Sequence, residues 1–446
     1  MLMIVTDETK NFVSRYRWLI FSILVVTYFF VYFHRMSINA VGTEMIDDIG
    51  SGSKEYLSSV YFWTYAAMQI PSGLLADRLG PRKATTIFLA LATGGSFLTC
   101  IATDFTMLAV GKILIASGMA VVYIPLMKII SVWYPRKDFP QLNGIVIAVG
   151  NVGALAAAAP LSYLADSIGW RNVFLVLAVV TMILAILCLT FIRDHPHDMG
   201  KPSLEEIRES ETGEGTEDKS DGKVPVLAGL MTTFRSGRVF WTMGLAYFLI
   251  YGTIMVFQGT TSIAYFKSHI YTFALAAWFV TMIGVSKIVS TVLIGRLTSR
   301  GVINSTKKLM MFGTFMYMLV WAVIWLFAGD IQSEWFWFAV CALFGFFAGF
   351  MTLSFSQVKE WFPISISGTA MSAMNVLLFL GASIGTTIAG VVLHKEYILS
   401  NYSTLWAIMF VATVIAFILV VLSKEKKEGD ELIMPRVSSK KTDGRD

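Results

Sequence analysis

The chain has 446 residues, of which 56% are hydrophobic and 15% are charged, and its mean hydropathy is +0.66. This composition is too apolar for a soluble protein of this length, and it predicts an all-α polytopic membrane protein. The net charge of +5 is small, and no basic patch interleaved with aromatic residues stands outside the apolar segments, which excludes nucleic-acid binding. The three cysteines, an odd number, predict free thiols instead of disulfides or a metal site.

Twelve apolar runs are long enough to cross a bilayer. They form two sets of six, predicted as bundles at 18–193 and 238–422, between a segment at 1–17, a linker at 194–237 and a tail at 423–446. Charged residues precede the first run, so we expect a spanning helix there and no cleaved signal peptide. The predicted spans 1 to 12 lie at about 18–40, 56–76, 84–102, 106–131, 141–165, 171–193, 238–265, 273–296, 308–328, 335–358, 367–393 and 402–422.

Basic residues concentrate in alternate loops, which predicts that these loops and both termini are cytoplasmic, in the plasma (inner) membrane. The opposite loops carry Glu44, Asp47, Asp48, Glu55, Asp104, Asp330 and Glu334. The basic loops carry Lys10, Arg15 and Arg17; Arg78, Arg82 and Lys83; Arg136 and Lys137; Arg296, Arg300, Lys307 and Lys308; and Lys424, Lys426 and Lys427.

The linker is rich in acidic residues, Gly and Ser, which predicts disorder in its middle, and the polar tail is expected to be disordered as well. Residues 224–241 are compatible with a short amphipathic helix on the membrane surface or with a plain connector.

A permanent cation, Arg35, lies inside span 1, where a charge costs several kcal/mol unless it faces a cavity or a partner. Tyr28, Tyr32, Arg35 and Asn39 follow one another at steps of four, three and four residues, which places them on one helical face. We interpret this stripe as the wall of a binding site, although a structural bond from Arg35 to neighbouring carbonyls would also accommodate the charge.

The two halves repeat each other at an offset of 219 residues. Tyr247, Tyr251 and Gln258 of span 7 correspond to Tyr28, Tyr32 and Asn39, while Ile254 takes the position of Arg35. Each tyrosine or amide alone is compatible with an ordinary core residue, but their repetition favours a set that lines one site. A duplicated six-helix unit with its site where the halves meet is the architecture of many secondary transporters.

The loop after span 2 reads GLLADRLGPRK and resembles the G-x-L-A-D-R-x-G-x-R-K motif of the major facilitator superfamily. The resemblance implies twelve helices and alternating access, and it covers all twelve spans. It also implies a gating role for Gly73, Asp77, Arg78, Gly80, Arg82 and Lys83, in which Asp77 bonds to a helix end of the other half. From the sequence we expect Gly73 to allow a close helix approach.

An Arg in span 1 and the Trp-Phe-Pro type of end after spans 4 and 10 are similar to the organic-anion and organophosphate branches of this family. The organophosphate branch has a second Arg in span 7, where this chain has Ile254. The sequence therefore favours a carboxylate cargo over a phosphate.

Four cations lie inside predicted spans, and no Asp or Glu lies in any span interior to neutralise them. An anionic cargo would relieve the cost of these buried charges. Lys287, in the middle of span 8, is the expected partner of Arg35 from the other half, unless it bonds to local carbonyls. Lys128 either binds cargo or extends to the headgroups, and Lys112 serves packing or proton passage. Asn151 and Asn375, in Gly-rich helices, are further candidates for cargo contacts.

His34 is the candidate for proton coupling because it is titratable and adjoins Arg35; exchange and facilitated diffusion stay open. The sequence thus predicts a carrier of a small organic anion, working as a monomer among membrane lipids, with no cofactor and no metal. It is not an enzyme, since no nucleophile and base pair, phosphate loop or metal spacing occurs. The alternatives are an exporter of a metabolite or drug, and a membrane sensor that signals through the linker.

Overall fold

The structure is a computed structural model that describes residues 7–135, 138–202, 206, 226–268, 271–299, 305–327, 329–393, 398–426 and 429–434. The regular structure in these ranges is helical throughout. The disorder predicted for the middle of the linker and the end of the tail concerns residues 203–205, 207–225 and 435–446, which lie outside the described set. The basic residues Arg136, Lys137, Arg300 and Lys427 also lie outside it.

In the described part of the N-terminal half, eight α-helices form spans 1 to 6. Helices α1, α2, α3 and α8 each form one span, whereas α4 with α5 forms span 4 and α6 with α7 forms span 5. The helices are α1 (Asp7–Ile49), α2 (Lys54–Leu79), α3 (Pro81–Cys100), α4 (Phe105–Ala120), α5 (Tyr123–Trp133), α6 (Phe139–Ala156), α7 (Ala159–Ile168) and α8 (Trp170–Phe191).

The C-terminal half begins with α9 (Val226–Arg235), which packs on span 11, where Gly229 adjoins Thr369. Span 7 is α10 (Arg238–Val256), a π-helical turn (Phe257–Thr261) and α11 (Ser262–Ser268). Span 10 is α14 (Glu334–Ala348), a 3₁₀ turn (Gly349–Thr352) and α15 (Leu353–Lys359). The remaining spans, 8, 9, 11 and 12, are α12 (Phe273–Ser299), α13 (Thr306–Phe327), α16 (Ile364–Leu393) and α17 (Leu399–Leu422).

The helix boundaries follow from local chemistry. Ser53 and Asp104 cap the starts of α2 and α4 by accepting hydrogen bonds from backbone N–H groups. Pro160 stands in the first turn of α7, where its missing N–H interrupts span 5, and α6 and α7 meet at a bend of 42°. The sequence predicted spans 4, 5, 7 and 10 as continuous runs, and the structure interrupts each of them.

By length and mean hydropathy alone, nine helical segments of the described chain could cross a membrane, and the bent α6–α7 pair would make a tenth. Helices α2 and α3, with 26 and 20 residues, complete the twelve. They are less apolar because α2 has charged residues near both ends and α3 begins with Arg82 and Lys83. The predicted twelve spans, in two sets of six, are thus confirmed in the described helices.

The span ends define two faces of the molecule. On the acidic face, Arg171 forms an ion pair with Asp48 and donates to the Ala102 carbonyl, which joins the ends of spans 1, 3 and 6. On the opposite, basic face, the Trp133 indole donates to the Arg193 carbonyl. These contacts within the N-terminal bundle bring alternate span ends together, as expected for antiparallel neighbours.

Within each bundle, the first and fifth spans are packed backbone against backbone at a glycine. An added Cβ on Gly153 of span 5 would collide with the Phe29 carbonyl of span 1, and one on Gly381 of span 11 would collide with the Phe248 carbonyl of span 7. Phe29 and Phe248 are related by the same 219-residue offset as the tyrosine stripes. The duplication is therefore present in the packing as well as in the sequence.

The two bundles meet along spans 2 and 11, spans 5 and 8, and spans 1 and 7. From the acidic face inward, span 2 contacts span 11 through Tyr56 against Gly390 and through a hydrogen bond between Ser59 and Thr387. The innermost of these contacts joins Gln69 to Asn375 at 2.9 Å. The described contacts thus close the acidic side and reach the middle of the molecule.

Candidate functional site

Arg35 lies at the centre of the interface between the bundles and is only 5% exposed. Its guanidinium carbon lies 4.5 Å from the ring centre of Tyr32, 4.8 Å from Tyr65 and 5.0 Å from Phe379. Tyr32 and Tyr65 belong to the N-terminal bundle, and Phe379 belongs to the C-terminal bundle. The cation is therefore held by π faces from both halves.

Tyrosine hydroxyls add a polar shell to these rings. Tyr61, Tyr65 and Tyr251 lie close enough to Arg35 to act on its charge. The Tyr61 hydroxyl and the Arg35 Nε are buried and have no hydrogen-bond partner among the described residues. Buried polar atoms are normally satisfied, so these two atoms are available to a ligand.

The other tyrosines of the predicted stripes flank this cluster. Tyr28 packs on Tyr32, with ring centres 5.3 Å apart, and on Tyr123 at 5.4 Å. In the other bundle, Tyr247 stacks with Tyr251 at 6.4 Å. The repeated tyrosines thus extend two aromatic walls from the centre, one in each bundle.

Asn39 connects the bundles on the acidic side of Arg35. Its side-chain amide donates to the Gln258 carbonyl at 2.6 Å and to the Ser262 hydroxyl at 3.3 Å. Gln258 is part of the π-helical turn, in which backbone carbonyls leave the regular helical pattern. The side chains of Asn39 and Gln258 border a space of about 10 Å³ between the bundles, the size of one water molecule.

Lys287 lies on α12 of the C-terminal bundle and is partly exposed. The side-chain contacts described for Arg35 are with aromatic rings and not with Lys287, so the predicted partnership of these two cations stays a prediction. Ile254, the repeat counterpart of Arg35, is fully buried in the apolar core.

Three other predicted site residues, Asn375, Asn151 and Lys128, lie in different parts of the molecule. Asn375 is in the interface and donates to Gln69 of span 2. Asn151 donates to the Ile147 carbonyl of its own helix at 3.0 Å. Lys128 donates to the Ala76 carbonyl at 3.2 Å and borders a cavity at the basic face, so the structure does not bring it together with Arg35.

His34 faces the interior of the N-terminal bundle and is fully buried. Its Nε2 lies 3.4 Å from the Thr181 hydroxyl of span 6, and the charge of Lys112 acts on the ring. The imidazole is therefore directed away from the aromatic cluster around Arg35, although the two residues adjoin in sequence.

The loop motif after span 2 is fixed to its own bundle. Gly80 has φ +78°, a conformation that favours glycine, and an added Cβ there would collide with the Asp194 carboxylate. The Arg82 backbone N–H donates to Asp194 at 2.7 Å, and its guanidinium donates to the Leu189 carbonyl at 2.6 and 2.9 Å. Arg78 and Lys83 are exposed.

The side chain of Asp77 lies outside the described set, so its predicted bond to the other half stays a prediction. The expectation that Gly73 allows a close helix approach is wrong. Among the described residues, an added Cβ on Gly73 would meet only Ile124, at an ordinary contact distance of 4.0 Å.

The sequence interpretation missed Tyr61, Tyr65 and Gln69 on span 2 and Phe379 on span 11. A usable signal was present, since the residues of span 2 follow each other at steps of four, and Asn375, Phe379, Ser383 and Thr387 do the same on span 11. Such stripes identify a polar helix face but do not indicate that the two faces contact each other.

Comparison with known proteins gives a family. The family model described as Major Facilitator Superfamily matches this sequence twice, over residues 24–300 and over residues 244–433. A probable sulfoacetate transporter of Cupriavidus necator is 23% identical over 195 residues, covering 43% of this chain and 45% of the relative. A probable galactarate/D-glucarate transporter of Escherichia coli K12 is 28% identical over 220 residues, covering 47% and 48%.

The chain thus spans about half the length of these two curated relatives. A probable hexose phosphate transport protein of Chlamydia pneumoniae is 20% identical over 403 residues, covering 87% of each chain. Because the family and these relatives are transporters, the prediction that the chain is not an enzyme is confirmed.

Solved structures share the fold. A bacterial homologue of the human lysosomal transporter Spinster, inward-facing and unoccupied, superposes with a TM-score of 0.68 at 14% identity, covering 91% of this chain and 97% of that one. A D-xylose-proton symporter superposes with a TM-score of 0.70 at 13% identity, covering 94% and 100%. By the family match over most of its length and by its fold, this chain belongs to the Major Facilitator Superfamily.

Proposed function

We propose that the protein is a secondary transporter that moves a small organic anion, with a carboxylate favoured, across the membrane by alternating access. The observation that carries the proposal is the environment of Arg35. A permanent cation is buried between the bundles, and its described neighbours are aromatic rings. A bound carboxylate would supply the missing countercharge and would match the planar fork of the guanidinium.

The relatives support this cargo class. Their names give sulfoacetate, galactarate or D-glucarate, and hexose phosphate as cargo, all of which are organic anions. Span 7 lacks a second Arg at the repeat position, because Ile254 is there. This difference supports a carboxylate over a phosphate held between two arginines.

The contacts between the bundles suggest how the site opens. Tyr65 and Phe379, with ring centres 4.2 Å apart, come from opposite bundles and enclose Arg35. Asn39 and the Gln258 carbonyl form a second contact toward the acidic face. Rocking of one bundle against the other would separate both pairs and expose Arg35 to the acidic side.

We place both termini and the basic face in the cytoplasm, in an inner-membrane protein, because basic residues concentrate in the loops of that face. Proton coupling through His34 would require a proton path inside the N-terminal bundle, because the ring faces Thr181 and Lys112. Uptake into liposomes at two pH gradients tests this coupling. Uptake that ignores the gradient excludes symport with protons and leaves exchange or facilitated diffusion.

A binding screen tests the proposed function. The purified full-length protein is screened by thermal shift against carboxylates, sugar acids, amino acids and sugar phosphates, and each hit is assayed for uptake into liposomes. We expect a carboxylate to raise the melting temperature of wild type and of the control Lys128→Gln, but not of Arg35→Gln. A hit that stabilises Arg35→Gln as strongly as wild type would refute the anion site.

A further inference from the structure

The start of the tail binds the basic face of the C-terminal bundle, although the sequence predicts disorder there. The Glu425 carboxylate accepts hydrogen bonds from the Ser305 hydroxyl at 2.8 Å and from the Lys307 backbone N–H at 3.1 Å, where span 9 begins. The Lys307 ammonium donates to the Ser423 carbonyl at 2.6 Å. A carboxylate at a helix N-terminus is favourable, so the tail caps span 9.

The same part of the tail binds the inner half of span 10, α15. Gln357 of this helix is only 1% exposed, and its side-chain amide donates to the Ser423 hydroxyl at 3.1 Å and to the Lys424 carbonyl at 2.9 Å. Just after α15, the Trp361 carbonyl accepts a hydrogen bond from the Ile433 backbone N–H at 2.9 Å. The Ile433 side chain packs against the hydrophobic core, so two separate points of the tail hold this end of span 10.

These contacts make the described tail residues, 423–426 and 429–434, a strap across the basic face, which we call the C-terminal strap. It continues from span 12, caps span 9 and binds the inner end of span 10. Most of its side chains are partly or fully exposed. Release of the strap would therefore expose little apolar surface and would cost mainly its hydrogen bonds.

Span 10 has a joint between its two halves. The outer half, α14, is packed backbone against backbone on span 8, because an added Cβ on Gly345 would collide with the Ile283 carbonyl. The 3₁₀ turn Gly349–Thr352 separates α14 from α15, which has only seven residues. A stretch of 3₁₀ helix inside a longer helix often marks a hinge. The inner half of span 10 can therefore turn relative to the outer half.

The basic side is the side on which the two bundles are not joined. The described hydrogen bonds and ring contacts between the bundles extend from the acidic face to the pair Gln69 and Asn375, and among the described residues none lies at the basic face. Closing the basic side during alternating access requires inner span ends of the two bundles to approach each other. The strap holds one of these ends, α15, to spans 9 and 12 of its own bundle.

We propose that the C-terminal strap is a conformational restraint on transport. Bound as described, it holds α15 back and favours the state in which the basic side is open. Its release lets α15 turn toward the N-terminal bundle, so the basic side closes more readily. The inference goes beyond the proposed function, from which it takes alternating access but no property of the cargo.

Spin-label distances in the purified full-length protein, measured without cargo, test the proposal. The labels are attached in a background whose three native cysteines are alanine. One pair, at Ser131→Cys on span 4 and Ser356→Cys on α15, reports closure of the basic side. A second pair, at Lys308→Cys on span 9 and Met434→Cys on the strap, reports release of the strap. All four positions are exposed.

Two variants weaken the strap at separate points. Glu425→Ala removes the carboxylate that caps span 9, and Ile433→Pro removes the N–H that binds the Trp361 carbonyl. The matched controls are Glu431→Ala and Leu432→Pro, at exposed strap positions. We expect each strap variant to raise the fraction of short distances in the first pair about fivefold, the effect of one hydrogen bond, and the double variant to raise it further.

The controls should keep the wild-type distances of both pairs, and thermal unfolding shows that each variant is folded. Release of the strap in the double variant without a shift in the first pair would overturn the restraint. A strap that stays in place in the double variant would overturn it as well, because these bonds would then not hold it. Neither result affects the anion site. A shift in the first pair beside a failed anion screen would refute the proposed function alone.

Discussion

Arg35 and Lys112 are two buried cations of the N-terminal bundle with opposite surroundings. Lys112 is fully buried, and its partners Ser37 and Phe174 belong to its own bundle. Arg35 has rings from both bundles around it, and one of its nitrogens lacks a partner. From this difference we interpret a buried charge as part of a binding site when its neighbours come from both bundles.

The largest effect is expected for Arg35→Gln. Removing the cation should lower the apparent affinity for the transported anion by about 100-fold or more, since a buried charged partner contributes several kcal/mol. Arg35→Lys should restore little, because an ammonium lacks the planar fork. Binding is measured by titration and folding by thermal unfolding. Wild-type affinity in Arg35→Gln would mean that Arg35, like Lys112, lies outside the anion site.

Tyr61→Phe should produce effects of opposite sign on stability and binding. Loss of an unsatisfied buried hydroxyl should leave the melting temperature without ligand unchanged or raise it, because no hydrogen bond is lost. The same change should weaken anion binding by about fivefold to tenfold, the value of one hydrogen bond to a charged group. Tyr402→Phe, in the core of the other bundle, serves as the control, and its anion affinity should be unchanged. Unaltered affinity in Tyr61→Phe would exclude this hydroxyl from the site.

Lys112→Met tests the buried cation whose described partners lie within its own bundle. Replacing the buried amine with an apolar chain of similar size should keep or raise stability, because the cost of burying a charge is removed. Uptake should stay within about twofold of wild type, because the described contacts of Lys112 lie within one bundle. Thermal unfolding measures the stability, and liposome uptake measures the transport. A loss of uptake as large as that of Arg35→Gln would place Lys112 in the transport mechanism, and a lost pH dependence would assign it a proton.

The smallest effect is expected for Asn151→Ala. The amide bonds to the Ile147 carbonyl within its own helix, so its removal should change stability by less than about 0.5 kcal/mol. Anion affinity should be unchanged in titrations run beside Asn375→Ala, which removes the bond to Gln69 between the bundles. A clear loss of affinity in Asn151→Ala alone would mean that the amide turns toward the cargo during transport.

Much of the architecture could be predicted because hydropathy and charge act locally along the chain. The predicted span at 273–296, for example, corresponds to α12 (Phe273–Ser299). The interruptions at Pro160 and at Phe257–Thr261 were not predicted, since apolar composition continues through them. The π-helical turn accepts a hydrogen bond from Asn39 of the other bundle, a contact that no pattern within span 7 indicates.

The candidate site was predicted only in part. Arg35, Tyr32 and Tyr251 could be found from the cost of the charge and from the repeat, whereas Tyr65 and Phe379 required knowledge of which helix faces meet. One correspondence between the two halves became visible only in the structure. The contacts of Gly153 and Gly381 are equivalent, which makes Asn151 the repeat counterpart of Phe379.

These two glycine contacts have a mechanical consequence. Because span 1 touches span 5 at Gly153 and span 7 touches span 11 at Gly381, with backbone atoms in direct contact, neither pair can slide without a collision. Each pair should behave as one stiff lever, and displacement should accumulate at the seam where the bundles meet. The distance between probes on spans 1 and 5 would then stay constant through a transport cycle, while that between probes on spans 1 and 7 changes.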